Sequence, residues 1–442
     1  MIGNSVGAAT QYLFVKNAAD AWTFNIGTAT VAAVSDADYP ASTVPGVVFH
    51  NGYIYVMTPN GVLHNCDLED PTAWAATSII TAEVEPDQGV ALGKHQNYPV
   101  AFGEWTTEVF YGNPDPPAVG SPLLRAEQGF SQVGCAQGYS VASVSGILMW
   151  IGKTREKGRS VYRMNGFVPE PVSTPDIDRI LNADALTTVH AYGIKLMGHS
   201  LYVLTLDVSA ITLVYDLTSN AWYQWTGRTT GSPVTITSLT QSGGIATATK
   251  TGHGFSDGDP VTHAGANQAG YNITANITRV DANSYTYPVA AGTVSPATGT
   301  VTATGTTESH FPYIAYVHCS GKDLLLHESD GWVYEALSTL YQDNGVHIDV
   351  RIRTPLFDAG DKAEKTFGDL MVVGDQAATT VLVRHTNDDY QTYTKYRPVD
   401  MSLNEPRLRR NGAAKRRAWE LRHTGNTALR LQALDTDVER GA

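Results

Sequence analysis

His199-Ser-Leu-Tyr-Val-Leu-Thr-Leu-Asp207, followed after a short gap by Leu213-Val-Tyr-Asp-Leu-Thr-Ser-Asn-Ala-Trp-Tyr-Gln-Trp-Thr-Gly227, reads as two short strands ending in a polar turn and an aromatic anchor, Trp222. Degenerate copies of the unit occur elsewhere in the chain. A two-stranded ribbon cannot bury its apolar face alone, so repeated ribbons must stack radially or in layers. The stretch therefore predicts a β-propeller, which is a scaffold rather than a particular chemistry.

The copies can be anchored at Tyr53, Val100, Ile147, Leu201 and Ile314, each taken as the first inner strand. The intervals are 47, 47, 54 and 113 residues. Residues 231–305 account for the long one: without that block of 75 residues it falls to 38, close to the 40–50 residues of a propeller blade. The block is read as an insertion at a loop tip, where extra length costs little. It is rich in Ala, Thr and Gly, and its only basic residues are Lys250 and Arg279. Alternating strands are expected at 234–239, 245–250, 271–280 and 284–289, which fits a small β-barrel.

Asn-Gly and Asp-Gly pairs supply the positive-φ residues of tight hairpins. They fall at Asn51-Gly52, Asn60-Gly61, Asn165-Gly166, Asp257-Gly258, Asp330-Gly331, Asn344-Gly345 and Asn411-Gly412. Ser173-Thr-Pro-Asp176 is a helix start with a hydroxyl cap and an early proline, leading into one or two turns at 177–181. From 346 onward the strands lengthen, at 347–353, 367–373, 381–385, 393–397, 417–423 and 428–434. These predict a C-terminal β-sandwich. The expected chain is all-β: a propeller of five or six blades over 1–230 and 306–345, an inserted small β-barrel at 231–305, and a β-sandwich at 346–442.

The chain has 442 residues, 42% of them hydrophobic, and a net charge of −13. Residues 351–442 hold 16 Lys+Arg against 13 Asp+Glu, so the preceding 350 residues carry −16. An acidic body repels DNA at long range and disfavours general nucleic-acid binding. No apolar run approaches the roughly 20 residues of a membrane span, so no membrane anchor is expected. The opening residues lack the basic and apolar regions of a secretory signal. Cys66, Cys135 and Cys319 have no zinc or disulfide spacing and are read as buried thiols made in a reducing cytoplasm.

Gly134-Cys-Ala-Gln-Gly-Tyr-Ser-Val141, Met149-Trp-Ile-Gly152, Gly158-Arg-Ser-Val-Tyr-Arg163 with Gly166, and 173–177 together resemble the packaged-DNA stabilisation proteins of short-tailed phages. These are also called tail nozzle or hub proteins. Val100-Ala-Phe-Gly103 with Thr107-Glu-Val-Phe-Tyr111, the blade at 199–226, Asp343-Asn-Gly-Val-His-Ile348 leading to Arg353-Thr-Pro355, and Arg417-Ala-Trp-Glu-Leu-Arg-His-Thr-Gly-Asn-Thr427 extend the likeness. It covers roughly 89–226 and 311–440. The inserted segment Gly252-His-Gly-Phe-Ser-Asp-Gly-Asp-Pro-Val261, with Tyr271-Asn272 and Asp281–Tyr287, resembles small barrel modules of phage tail proteins. Those modules are similar to one barrel of ubiquitin-activating enzymes, and no ubiquitin chemistry follows.

The resemblance implies a non-enzymatic propeller protein of the virion tail, assembled in the host cytoplasm as a six-membered ring below the head-to-tail adaptor. Such a ring extends the DNA channel, retains the packaged genome and permits its ejection. The implied partners are further copies of the chain, the adaptor, a tail needle, tailspike or fibre, and passing double-stranded DNA met without sequence specificity. The alternative is a carbohydrate-binding propeller acting at the host cell surface.

Six cations, Arg407, Arg409, Arg410, Lys415, Arg416 and Arg417, surround the turn Asn411-Gly412. They are candidates for contact with an acidic neighbour, the adaptor or DNA phosphates, weighed against a solvated hairpin flank. Asp257 and Asp259, near His253 and His263, could ligate a metal. Their spacing instead suits a plain hairpin turn, and no metal site or cofactor is expected. His190, His199, His318, His327 and His385 have no Gly-x-Ser-x-Gly partner, so no catalytic residues are assigned. Ser329-Asp-Gly-Trp332 is a single contracted echo of the Ser-x-Asp-x-Gly-x-x-Trp turn that sialidase propellers repeat in every blade. The eight tryptophans are read as core anchors rather than carbohydrate platforms.

Overall fold

In the computed structural model, residues 2–4, 11–117 and 119–440 are described; part of the stretch read against a secretory signal lies outside them. The chain divides into two compact units, Met1–Trp225 with His310–Ala336, and Thr226–Ser309 with Leu337–Ala442.

The first unit is a β-propeller of six antiparallel blades. The ribbon predicted around Trp222 is one blade of four consecutive strands, Val189–Leu196, His199–Leu206, Ile211–Asp216 and Ala221–Thr230, joined by the returning strand Thr306–His310. Tyr53, Val100 and Leu201 mark second strands, not first ones, because each blade opens with a further strand: Val48–His50, Gly89–His95 and Val189–Leu196. A blade upstream of all the anchors, Ile2–Asn4, Gln11–Lys16, Ala21–Asn25 and Thr30–Ala33, had no counterpart in the periodicity. The sixth, Tyr313–Cys319, Lys322–His327 and Val333–Glu335, has three strands.

The middle strands are apolar at successive positions because both faces of their blade are buried. Ile54 and Val56 pack toward Phe14 and Ala21 of the first blade. Tyr55 and Met57, one residue out of phase, pack toward Leu92, Ala101 and Phe110 of the third. Side chains alternate across a strand, so an unbroken run feeds two cores at once. The same device operates at Leu148–Ile151: Leu148 and Trp150 meet the third blade, while Met149 and Ile151 meet the fifth. Leu201 and Val203 face the sixth blade, and Tyr202 and Leu204 the fourth. Trp222 packs on Tyr215 at 5.0 Å and donates its indole N–H to the carbonyl of Val172 at 2.9 Å.

The helix spans Pro175–Ala183 and buries Ile177 and Leu181. The expected hydroxyl cap is not made by Thr174. Ser173 instead accepts from the Val161 amide at 2.9 Å and donates to Asp178 at 2.5 Å, joining the helix start to the blade. Asn51-Gly52 takes positive φ at both residues, 49° and 87°, as a type I′ hairpin turn requires. Ser145-Gly146, Met197-Gly198 and Ser320-Gly321 turn the same way without an Asn or Asp to signal it. Cys66 and Cys135 are buried, which pushes both thiols up to about 12. Cys319 departs from the expectation and is exposed, since it ends a strand at the rim of the last blade.

In the second unit, residues 234–304 form two four-stranded sheets around one core that includes Ala246, Val261, Tyr271, Tyr285 and Tyr287. Pro260–Ala264 and Thr302–Thr304 are strands the alternation did not reveal. The C-terminal part is a sandwich. One sheet orders Val350–Arg353, Ala418–His423, Thr380–Thr386 and Arg397–Asp400. The other is built on Lys365–Gly374 paired with Leu431–Arg440, and Leu370, Val383, Trp419 and Leu421 fill the space between. The strand expected at 393–397 lies at Arg397–Asp400, and that expected at 428–434 runs from Leu431 to Arg440.

Candidate functional site

The six cations near Asn411 do not form one surface. Arg407, Arg409, Arg410, Lys415 and Arg416 are exposed. Arg417 is 1% exposed and is a packing residue of the sandwich, not a contact residue. Its guanidinium donates to the Asn411 carbonyl at 2.6 Å and to Asn387 at 2.9 Å, and lies 4.3 Å from the Phe367 ring centre and 5.3 Å from that of Trp419. Burial lowers its pKa to about 10. Strand alternation explains the difference: Arg417 is inward beside Ala418–His423, whereas Arg416 points out and pairs with Asp389.

The Asn411 side chain is itself buried and donates to the carbonyls of Gly368 at 2.6 Å and Leu408 at 2.8 Å. The turn is thereby rigid, and it presents Arg409 and Arg410 outward on a fixed backbone. Arg407 is paired with Glu405 at 2.7 Å, and Arg409 stands 3.7 Å from Asp369. Among the described residues, Arg410 and Lys415 make no ion pair of this kind.

The Asp257-Gly258-Asp259 turn is occupied by its own fold. Asp257 accepts from the amides of Arg279 at 2.8 Å and Tyr396 at 3.0 Å. Asp259 accepts from the Ser256 amide at 2.7 Å and from Arg422 at 3.1 Å. His253 bonds the Asp281 carbonyl at 3.0 Å, and His263 bonds the Tyr285 hydroxyl at 2.9 Å while stacking on Tyr287. These groups are engaged within the barrel and with Tyr396 and Arg422 of the sandwich.

Two arginine–carboxylate clusters were not foreseen. Asp349 is bonded by Arg422 and Arg351 and also meets Arg228. Glu420 is held by Arg353 at 2.5 Å, Arg384 at 2.6 Å and the Tyr396 hydroxyl. The partners lie far apart in sequence, so no local motif could have signalled them. Four of the arginines after residue 350, Arg351, Arg353, Arg384 and Arg422, are engaged here. Of the tryptophans, Trp74, Trp150 and Trp419 are buried. Trp332 is 70% exposed and so is not a core anchor.

The propeller's end blades differ from the inner ones. Five cores lie between consecutive blades, and among the described residues none joins the sixth to the first. In the first blade, cross-strand register places Leu13, Phe24 and Val31 in one row, and Val15, Trp22 and Ala33 in the next, all on the face away from Phe14. Val31 is 67% exposed. In the sixth, Ala315, Leu326 and Val333 form a row beside Val317 and Leu324, opposite the face of Tyr313 and Leu325. Val333 is 56% exposed.

A family model described as "Bacteriophage P22 Gp10, beta-propeller" matches residues 5–242. No curated protein matches the chain. Among solved structures, the computationally designed Ika8 protein is similar at 11% identity, over 75% of this chain and 81% of its own, with a TM-score of 0.33. BamB from Moraxella catarrhalis is similar at 10% identity over 75% and 80%, with a TM-score of 0.31. An exo-β-1,3-galactanase from Phanerochaete chrysosporium is similar at 8% over 99% and 94%, with a TM-score of 0.26.

Proposed function

Because this chain belongs to the phage-stabilisation family of the bacteriophage P22 Gp10 β-propeller, we propose that it is a non-enzymatic tail subunit that closes into a ring with copies of itself. The ring stands below the head-to-tail adaptor, extends the DNA channel, retains the packaged genome and lets it pass on infection. The needle, spike or fibre attaches beyond it.

The observation that carries this reading is the pair of uncovered end faces. Tyr12-Leu-Phe-Val15 and Tyr313-Ile-Ala-Tyr-Val317 have the unbroken apolar pattern of inner strands, yet among the described residues one face of each end blade lies in a core with a neighbouring blade and the other does not. Large contiguous apolar faces mark association sites. Packing the sixth blade of one copy on the first blade of the next continues the blade-on-blade stacking. A contact between two different faces of identical copies generates a ring when its rotation closes. The charge of −16 on the first 350 residues suits a passage, since phosphate contacts are what make DNA adhere.

The test is light scattering and imaging of the purified chain, alone and with the adaptor, for the parent and for Val31→Lys and Val333→Lys. Rings from the parent, and unassembled but normally melting variants, are expected. Rings that persist in both variants would overturn this interface. A parent that stays monomeric even with the adaptor would overturn the ring itself.

A further inference from the structure

We infer that His190, Asp207, His310 and Glu328 form a binding site for a zinc-type divalent cation at the junction of the fifth and sixth blades. His190 opens the strand Val189–Leu196, and Asp207 follows its neighbour His199–Leu206 directly. The pairing of Val189 with Leu206 brings these two ends together. His310 ends Thr306–His310, and Glu328 follows Lys322–His327, its amide bonded to the Pro312 carbonyl at 2.9 Å. Two donors therefore lie in strands, and Asp207 and Glu328 are the first residues of the turns that follow the strands His199–Leu206 and Lys322–His327.

Donor atoms of Asp207, His310 and Glu328 all lie within 4.8 Å of one another. The His310 Nε2 is 2.8 Å from a Glu328 oxygen, and the His190 Nε2 is 3.4 Å from Asp207 Oδ2. The other Asp207 oxygen, Oδ1, is buried and has no hydrogen-bond partner. An unsatisfied buried carboxylate oxygen is costly unless something cationic meets it. Neighbouring donors on a tetrahedral zinc ion stand about 3.4 Å apart, given bonds of about 2.0–2.1 Å. Asp207, His310 and Glu328 thus need to draw in by up to about 1.4 Å, and His190 is tied to the cluster through Asp207.

The donor chemistry selects the ion class. Two imidazole nitrogens with two carboxylate oxygens suit zinc and its borderline neighbours. Calcium and magnesium prefer all-oxygen shells of six or more ligands. The ion would offset two negative charges and join the fifth blade to the sixth. That junction lies where 102 residues separate Asp207 from the next donor, His310, in sequence. The role is structural, since the ion would tie strand ends of two blades together.

The experiment uses the full chain stripped with a chelator, then titrated with zinc, calcium or magnesium by calorimetry and followed by thermal melting. One equivalent of zinc and a raised melting temperature are expected, with calcium and magnesium inert at the same concentration. Glu328→Gln, at an exposed position, and His310→Ala should each weaken zinc binding at least about tenfold. The Glu328→Gln protein should melt like the metal-free parent. No zinc uptake by the parent, or uptake unaltered in both variants, overturns the site.

Discussion

Arg422 and Asp349 meet through two hydrogen bonds of 2.9 Å each, and both side chains are at most 2% exposed. Burial alone would raise the Asp349 carboxyl, but the hydrogen bonds and charge of Arg422, with the charges of Arg351 and Arg228, hold it at about 2. Its folded pKa lies below its unfolded value, so its contribution to stability is present above about pH 4 and is lost as pH falls toward 2. Asp349→Ala leaves buried guanidinium groups uncompensated and is expected to cost about 3–5 kcal/mol. Chemical denaturation at pH 7 measures this, and the penalty should shrink as the parent is titrated below pH 4.

A second pH dependence lies higher. Burial lowers His263, His347 and His385 to about 4, and nearby arginines add to the effect for the last two. The unfolded chain binds protons at these sites near pH 6.5, before the folded chain does. Stability should therefore fall as pH drops from about 6.5 to 4, by at most about 1.4 kcal/mol per pH unit for each histidine. His263→Gln should flatten that slope in a melting series from pH 7 to 4; an unchanged slope would contradict the assignment.

Between the third and fourth blades, Trp150 is fully buried, packs on Phe102 at 5.0 Å and donates to the Gly134 carbonyl at 3.1 Å. Trp150→Ala is expected to cost about 3–5 kcal/mol. Gly134→Ala attacks the same place from the backbone: a Cβ there would sit 2.2 Å from the Glu104 carbonyl oxygen and 2.4 Å from the Trp105 nitrogen. Neither neighbour is a side chain that could swing away, so a loss of about 1–3 kcal/mol is expected. Urea unfolding of each variant measures both.

The cations around Asn411 separate into two behaviours. Charge reversal at Arg409 and Arg410 should leave the melting temperature unchanged, because both are exposed. If these residues meet an acidic partner or DNA phosphates, the same change weakens adaptor binding or genome retention; normal tails from the double variant would remove them from any contact. Arg417→Glu should instead unfold the sandwich. It places an anion against Phe367 and Trp419 and leaves the Asn411 carbonyl without its donor.

Much of the propeller can be read from local pattern. The Asn51-Gly52 turn, the helix start at Ser173 and the apolar runs at Tyr53 and Leu201 each follow from rules spanning a few residues. The first blade escaped the periodicity because its strands are short and its outer face resembles an inner one. Ala221–Thr230 was read as a single aromatic anchor because its burial does not alternate cleanly. Pro260–Ala264 alternates in burial, but its inward residue His263 is polar and its outward residue Ala264 is apolar, which hides the strand from a hydropathy pattern. Nothing local in the sequence separates Arg417 from its exposed neighbours, because a run of charge carries no mark of which member faces inward.

By itself, the sequence determined an all-β propeller chain, the apolar ribbons around Tyr53 and Leu201, and turns such as Asn51-Gly52. These are short-range or periodic properties, set by backbone dihedrals and side-chain alternation. Only the tertiary structure decided that, among the described residues, no core joins the sixth blade to the first, that Arg417 is internal, and that Asp207, His310 and Glu328 converge. Each of these depends on which distant strands come to lie side by side, and packing between residues a hundred positions apart leaves no trace in local spacing.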